Sequence, residues 1–306
     1  MSNVSNHVSN KIKSTTDIKI FKVVSYIVII FFSLYCFLPF LMVVSSSFTD
    51  EQQIINHGYS FLPLKPSLSA YTTAFKYPME ILSAYGVTIF VTAVGTSLAV
   101  FLMSMTAYVV SLRSNRWGNA YSFFMYITTL FSGGLVPWYI LMVKYLHMQD
   151  KIYALIIPNL FGVFYILILK GFMRGIPDSL AESAKIDGAN DFTIFLKIIF
   201  PMAKPAVATI TLMVALGYWN DWYLCMLFIQ DTHLQNLQHF LYTLISSQEA
   251  IKNLVLANSN VNISVSIPAE SMKMAMTVIA TGPILLLYPL IQKYFVKGLT
   301  LGAVKG

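Results

Sequence analysis

Tyr218-Trp219-Asn220-Asp221-Trp222-Tyr223 places one carboxylate, one amide and four aromatic rings in an otherwise apolar stretch. Asp221 is a carboxylate deep inside a predicted membrane span, where contact with lipid is costly, so it should face a bundle interior or a water-filled path. Flat rings stack on the apolar faces of pyranose rings while Asn and Asp bind hydroxyls, which makes Trp219, Asn220, Asp221 and Trp222 candidate contacts along a sugar path. A structural hydrogen bond to a neighbouring helix is the competing reading. Four consecutive residues also cover more than one helix face, so some of them must point away from any cavity.

A second cluster, Ile176 to Ala189, is charged and sits between two long apolar runs. Ser179 and Glu182 have capping-box spacing, Pro177 precedes them, and Gly188 is a natural stop. Together these predict a helix of about two turns, roughly 12 Å at 1.5 Å per residue. Spanning a bilayer needs no such helix, so it should lie outside. A second amphipathic stretch runs from Asp191 to Ile199, punctuated by Pro201 and Pro205.

Other reactive residues point to no chemistry. His7, His57, His147, His233 and His239 fall in tails or outer loops without metal-ligand spacing. Cys36 and Cys225 sit inside predicted spans, which argues for packing rather than a disulfide framework. The apolar run around Cys36 is too long for a signal-peptide core and lacks a small-x-small cleavage site, so it should stay attached. Phe131-Ser132-Gly133-Gly134 mimics the signature of ABC ATPases, yet it lies in an apolar span and the chain has no phosphate-binding G-x-x-x-x-G-K-[ST] loop. The same glycines, with Pro137, should break or kink span three.

The elements that must position these residues are membrane helices. The 306 residues are 57% hydrophobic and 11% charged, against roughly 25% charged in a soluble domain. Apolar runs near Val23 to Val44, Ala84 to Leu112, Ala120 to Val143, Ile152 to Phe172, Ala206 to Ile229 and Met274 to Phe295 each approach the ~20 residues a crossing needs. The fold class is therefore an all-α polytopic membrane protein of six transmembrane helices, with the charged helix between the fourth and fifth. Six spans with the N-terminus inside put 14 of the 20 basic residues on inner segments, so both termini should be cytoplasmic. The net charge of +7 thus reports orientation; the basic residues form no concentrated patch for nucleic acid. The expected layout is a cytoplasmic tail over 1–22, a transmembrane domain over 23–297 with an outer loop over 231–273, and a cytoplasmic tail over 298–306. Within that outer loop, the spacing of Leu237 to Ile251 suits a helix on the membrane surface.

Glu182-Ser183-Ala184, Asp187-Gly188-Ala189, Phe195, Ile198 and Pro201 resemble the EAA motif of importer permeases in the ATP-binding-cassette (ABC) superfamily. Position 183 is Ser where the family usually has Ala. The six-span layout, the Trp219-Asn220-Asp221 cluster and the ending Gln292 to Gly306 resemble the second permease of maltose-type carbohydrate importers. Ser132 to Trp138 looks most like the branch handling complex oligosaccharides and oligo-uronates. The resemblance implies a subunit that carries no cofactor and catalyses no reaction, with ATP and Mg on partner ATPases. It further implies a second homologous permease, two ABC ATPase subunits, an extracytoplasmic sugar-binding protein and a carbohydrate moved by alternating access. By resemblance, residues 176–205 are the coupling segment, with Glu182 a charged anchor, Ala184 and Gly188 small residues for close docking and Ile186 an apolar contact; Ser183, Asp187 and Ala189 complete the set. The resemblance also makes the tail over 298–306 a second ATPase contact. A secondary transporter, which would need more intramembrane carboxylates and a repeated half, and a multispan membrane enzyme, which would need convergent catalytic groups, are the alternatives. Neither explains the charged helix.

Overall fold

The computed structural model describes residues 16–257, apart from 64 and 77, together with 270–283 and 285. Among these residues the chain is helical, and its β-type pairing is a single antiparallel bridge between Thr49 and Pro66. α1 (Thr16–Ser47) is an unbroken apolar rod that buries little of itself in the chain. Two short helices, α2 (Glu51–His57) and α3 (Ser69–Ala74), lead to α4 (Pro78–Ser111). At 34 residues, α4 is about 51 Å long, ample for a hydrocarbon core of ~30 Å.

The next three apolar runs are long enough to cross a membrane only as bent pairs. α5 (Gly118–Leu130) and α6 (Leu135–Ile140), the latter extended by a π-helical turn at Leu141–Tyr145, meet at 109°. Gly134 has φ +89°, a backbone state that side chains disfavour, and its N–H donates to Ser132 Oγ at 3.2 Å. The glycines therefore redirect span three much more sharply than a proline kink would. Two 3₁₀ turns, Ile152–Leu155 and Ile157–Asn159, meet α7 (Val163–Met173) at 47°. α8 (Asp178–Ile186) follows. α9 (Asp191–Ile194) runs through a π-helical turn at Phe195–Ile199 into α10 (Phe200–Met202), and the chain then bends 84° into α11 (Lys204–Trp219). α12 (Tyr223–Phe228) and α13 (Leu237–Ala257) complete the named helices. The expected sixth run, Met274 to Phe295, begins within a helix over 270–283, and its remainder lies largely outside the described residues. The expected tail over 298–306 lies outside them entirely.

α4 forms the axis against which α7 and α11 pack. Its inward stripe at four-residue spacing, Gly95, Ala99, Met103 and Ala107, is mostly small, which suits helix association where lipid supplies no hydrophobic drive. At Gly95 the ring of Tyr218 occupies the space a Cβ would need, with Tyr218 Cζ only 2.7 Å from that position. Tyr218 then donates its hydroxyl to the Ile156 carbonyl at 2.8 Å, so α4, α11 and the turn before α7 share one node. A second cluster joins Trp219, Leu237, Leu241, Met272 and Met276. α13 thus buries Leu237 and Leu241 against this chain. Glu51 is a staple that sequence reasoning missed. Its buried carboxylate accepts from the N–H groups of Glu270 and Ser271, each at 2.9 Å, and from Ser271 Oγ at 2.9 Å.

Candidate functional site

The charged helix forms, though not through the expected capping box. α8 begins at Asp178 with Pro177 at the cap position, no side chain closes that end, and Asp178 Oδ2 instead pairs with Arg113 Nη1 at 3.0 Å. An acidic group in the first turn suits the positive end of the helix dipole. The far end closes as expected at Gly188, φ +83°, with Gly188 N–H donating to Lys185 O at 3.0 Å and Ala189 N–H to Ala184 O at 2.9 Å. Asn190 then caps α9 by accepting from Thr193 N–H at 2.8 Å. Lys185 Nζ reaches Asp191 Oδ1 at 2.9 Å, tying the two helices together. That hydrogen bond, with the charge behind it, pushes the Lys185 amine above its usual range.

α8 therefore has two distinct faces. Ala181, Ala184 and Ala189 pack on the main core, so Ala184 serves close packing within its own chain. Glu182, Ser183, Asp187 and Gly188 are exposed, and Ile186 is 88% exposed beside them. An apolar side chain held in the open, with carboxylates close to it in sequence, is suited to receiving another surface.

The aromatic cluster is divided by the structure. α11 ends at Trp219, so Asp221 lies beyond the helix end rather than on a continuous span. Asp221 Oδ1 accepts from the N–H groups of Tyr223 and Leu224, both at 3.1 Å, which starts α12. Asn236 Nδ2 donates to the Asp221 carbonyl. Asp221 also borders a cleft of about 350 Å³ with Asn159, Gly162, Tyr165 and Gly217. The Asp221 carboxylate thus makes local bonds at the start of α12 and borders a cavity. Trp219 departs from its expected place among the path residues. It is buried, and its indole N–H donates to Ala280 O at 3.2 Å, so it pins α11 to the helix over 270–283.

Asn220 and Trp222 line a second cleft, of about 330 Å³, with Gln238, Tyr242 and Thr277. The rings of Trp222 and Tyr242 stack at 4.9 Å and 29°, and Gln238 Nε2 donates to Asn220 Oδ1 at 3.4 Å. Sequence reasoning missed Gln238 and Tyr242. Their i, i+4 spacing was the available sign, because it puts an amide and a ring on one face of α13. The break at Ser132–Trp138 borders a third, wider cleft of about 650 Å³ that includes Tyr223.

Residues 103–301 match the family described as binding-protein-dependent transport system inner membrane component. The chain belongs to this family. The permease is 38% identical over 288 residues, 94% of its own length and 99% of the relative's, to the polygalacturonan/rhamnogalacturonan transport system permease protein YtcP of Bacillus subtilis (strain 168). It is 36% identical over 269 residues to protein LplC of the same organism, covering 88% of the permease and 89% of LplC. Among solved structures, it is similar to a chain from a bacterial ABC transporter involved in the import of the acidic polysaccharide alginate. That match has a TM-score of 0.76 at 28% identity and covers 92% of the permease and 99% of the other chain. The ABC permease fold and the membrane setting follow from these relationships.

Proposed function

We propose that the permease is the second of two homologous membrane subunits in an ATP-driven importer of oligosaccharide, and that the exposed face of α8 couples it to an ATPase. The observation that carries this reading is the near-full-length similarity to a polygalacturonan/rhamnogalacturonan transport system permease. In this reading the chain crosses the cytoplasmic membrane six times, with the 1–22 tail, α8 and the 298–306 tail in the cytoplasm and the 231–273 loop outside. The partners are the second permease, two ATPases that hold ATP and Mg, and an extracytoplasmic binding protein that delivers the sugar.

Closure of the ATPases would move α8 as a lever. Its closed C-terminus, the Lys185–Asp191 pair and its alanine face on the core support rigid transmission. Glu182, Ser183, Ile186, Asp187 and Gly188 form the docking surface, while Ala184 and Ala189 fix that surface to the core. Along the substrate path, Asn220, Asp221 and Trp222 contribute, joined by Gln238 and Tyr242. Stacked rings beside amides suit a pyranose face and its hydroxyls. Uptake of labelled galacturonan and rhamnogalacturonan fragments by cells with and without the gene tests the reading. Loss of uptake of at least one class on deletion is expected, and unchanged uptake of both would refute it.

A further inference from the structure

Lys170 on α7 and Arg174 at its C-cap, the end that leads to α8, are not used by the coupling or sugar-path readings. Lys170 is nine-tenths buried, and its Nζ donates to Ser122 Oγ at 2.7 Å and to Asn119 Oδ1 at 3.2 Å, both on α5. Arg174, one turn further on and exposed, donates from Nη2 to the same Asn119 oxygen at 2.9 Å. Sharing one amide oxygen holds the two cations within about 6 Å of each other. Among the described residues neither is paired with a carboxylate. An ammonium offers three donors, and two are used by neutral acceptors. Burying a cation without an anion is costly, and a second cation beside it adds repulsion, so the arrangement calls for a negative group from outside the chain.

The adjoining surface indicates which group that is. From Asn119, the i+4, i+7 and i+11 positions of α5 are Phe123, Tyr126 and Leu130, which lie on one face and are 65%, 48% and 60% exposed. A cationic notch at the helix start therefore continues into an exposed apolar stripe about 10 Å long. A carboxylate or a free anion would use only the notch, whereas a lipid uses both parts.

We propose that Lys170, Arg174 and Asn119 hold the phosphate of an anionic phospholipid whose acyl chain lies along Phe123, Tyr126 and Leu130. The test is lipid counting by native mass spectrometry on the assembled importer, depleted of lipid and titrated with phosphatidylglycerol, phosphatidylcholine or inorganic phosphate. One retained phosphatidylglycerol is expected, held at least tenfold more tightly than phosphatidylcholine and not displaced by a tenfold excess of inorganic phosphate. Arg174→Gln, on an exposed residue, should weaken that retention about tenfold without loss of assembly, and Lys170→Met should do the same if it assembles. Unchanged retention in Arg174→Gln, or displacement by inorganic phosphate, overturns the proposal. So does loss of a partner subunit from Arg174→Gln with the lipid count unchanged, since the cations would then pair with a partner's carboxylate.

Discussion

Trp219 donates its indole N–H to the carbonyl oxygen of Ala280 at 3.2 Å, while Trp222, three residues on, stacks in the open against Tyr242. The two tryptophans should therefore fail differently. Trp219→Phe removes a buried hydrogen bond, costing about 0.5–1.5 kcal/mol of stability and lowering assembly. Trp222→Ala should assemble normally and lose roughly tenfold in sugar uptake, equivalent to about 1.4 kcal/mol. Thermal melts alongside uptake separate the two, and equal melting temperatures with equal uptake in both variants would remove the distinction.

Gly95 and Tyr218 support a prediction about the core. A methyl at position 95 would meet the Tyr218 ring at 2.7 Å, and that ring is held in place by its bond to Ile156 O. Gly95→Ala should destabilise the bundle by about 1–3 kcal/mol through overpacking. A melting temperature equal to wild type would show that the node yields freely.

A pH effect is expected in the loop between α6 and α7. Asp150 Oδ1 accepts from Gln230 N–H at 2.5 Å and Asp231 N–H at 2.9 Å, while its own N–H donates to Phe228 O at 2.9 Å. The two backbone donors hold the Asp150 carboxyl below its usual range. Because the folded value is depressed, this staple contributes fully above the ordinary carboxylate range and is lost as pH falls through the folded value. Hydrogen exchange at Gln230 and Asp231, taken relative to the intrinsic rate at each pH, should rise on acidification in wild type. In Asp150→Asn it should already be raised at neutral pH; the same protection in both proteins at every pH would contradict the assignment.

Orientation is testable in a background lacking Cys36 and Cys225, using a membrane-impermeant thiol reagent. Ser247 and Ser183 are both exposed, on α13 and α8 respectively. Ser247→Cys should label from outside and Ser183→Cys only after permeabilisation. The reverse pattern would place the termini outside.

Much of this molecule was legible in its sequence because membrane helices and their breakers are local features. The apolar runs, the stop at Gly188 and the break at Gly133-Gly134 each depend on residues within a turn or two. The missed features are those joined through space. Ser179 and Glu182 had the spacing of a capping box, but Arg113 from a distant segment pairs with Asp178 at that end. Trp219 read as a ring free to stack because its partner, Ala280, is an ordinary alanine whose backbone carries the bond. Glu51 was unremarkable in a loop until Ser271 lay beside it, and Tyr242 looked like one residue of a surface helix until Trp222 stacked on it.

In the proposed coupling, the exposed face of α8 transmits ATP hydrolysis to the membrane helices. Ile186→Asp and Glu182→Lys alter that face while leaving Ala181, Ala184 and Ala189 on the core, so insertion and folding should persist. The most direct measurement is ATP-driven sugar uptake beside ATP hydrolysis, in vesicles containing the reconstituted importer and supplied with its binding protein. Uptake should fall at least about tenfold in both variants, equivalent to about 1.4 kcal/mol or more of lost coupling, with the permease still present in the membrane in full amount. Wild-type uptake and hydrolysis in both variants would show that this face of α8 does not couple the two processes.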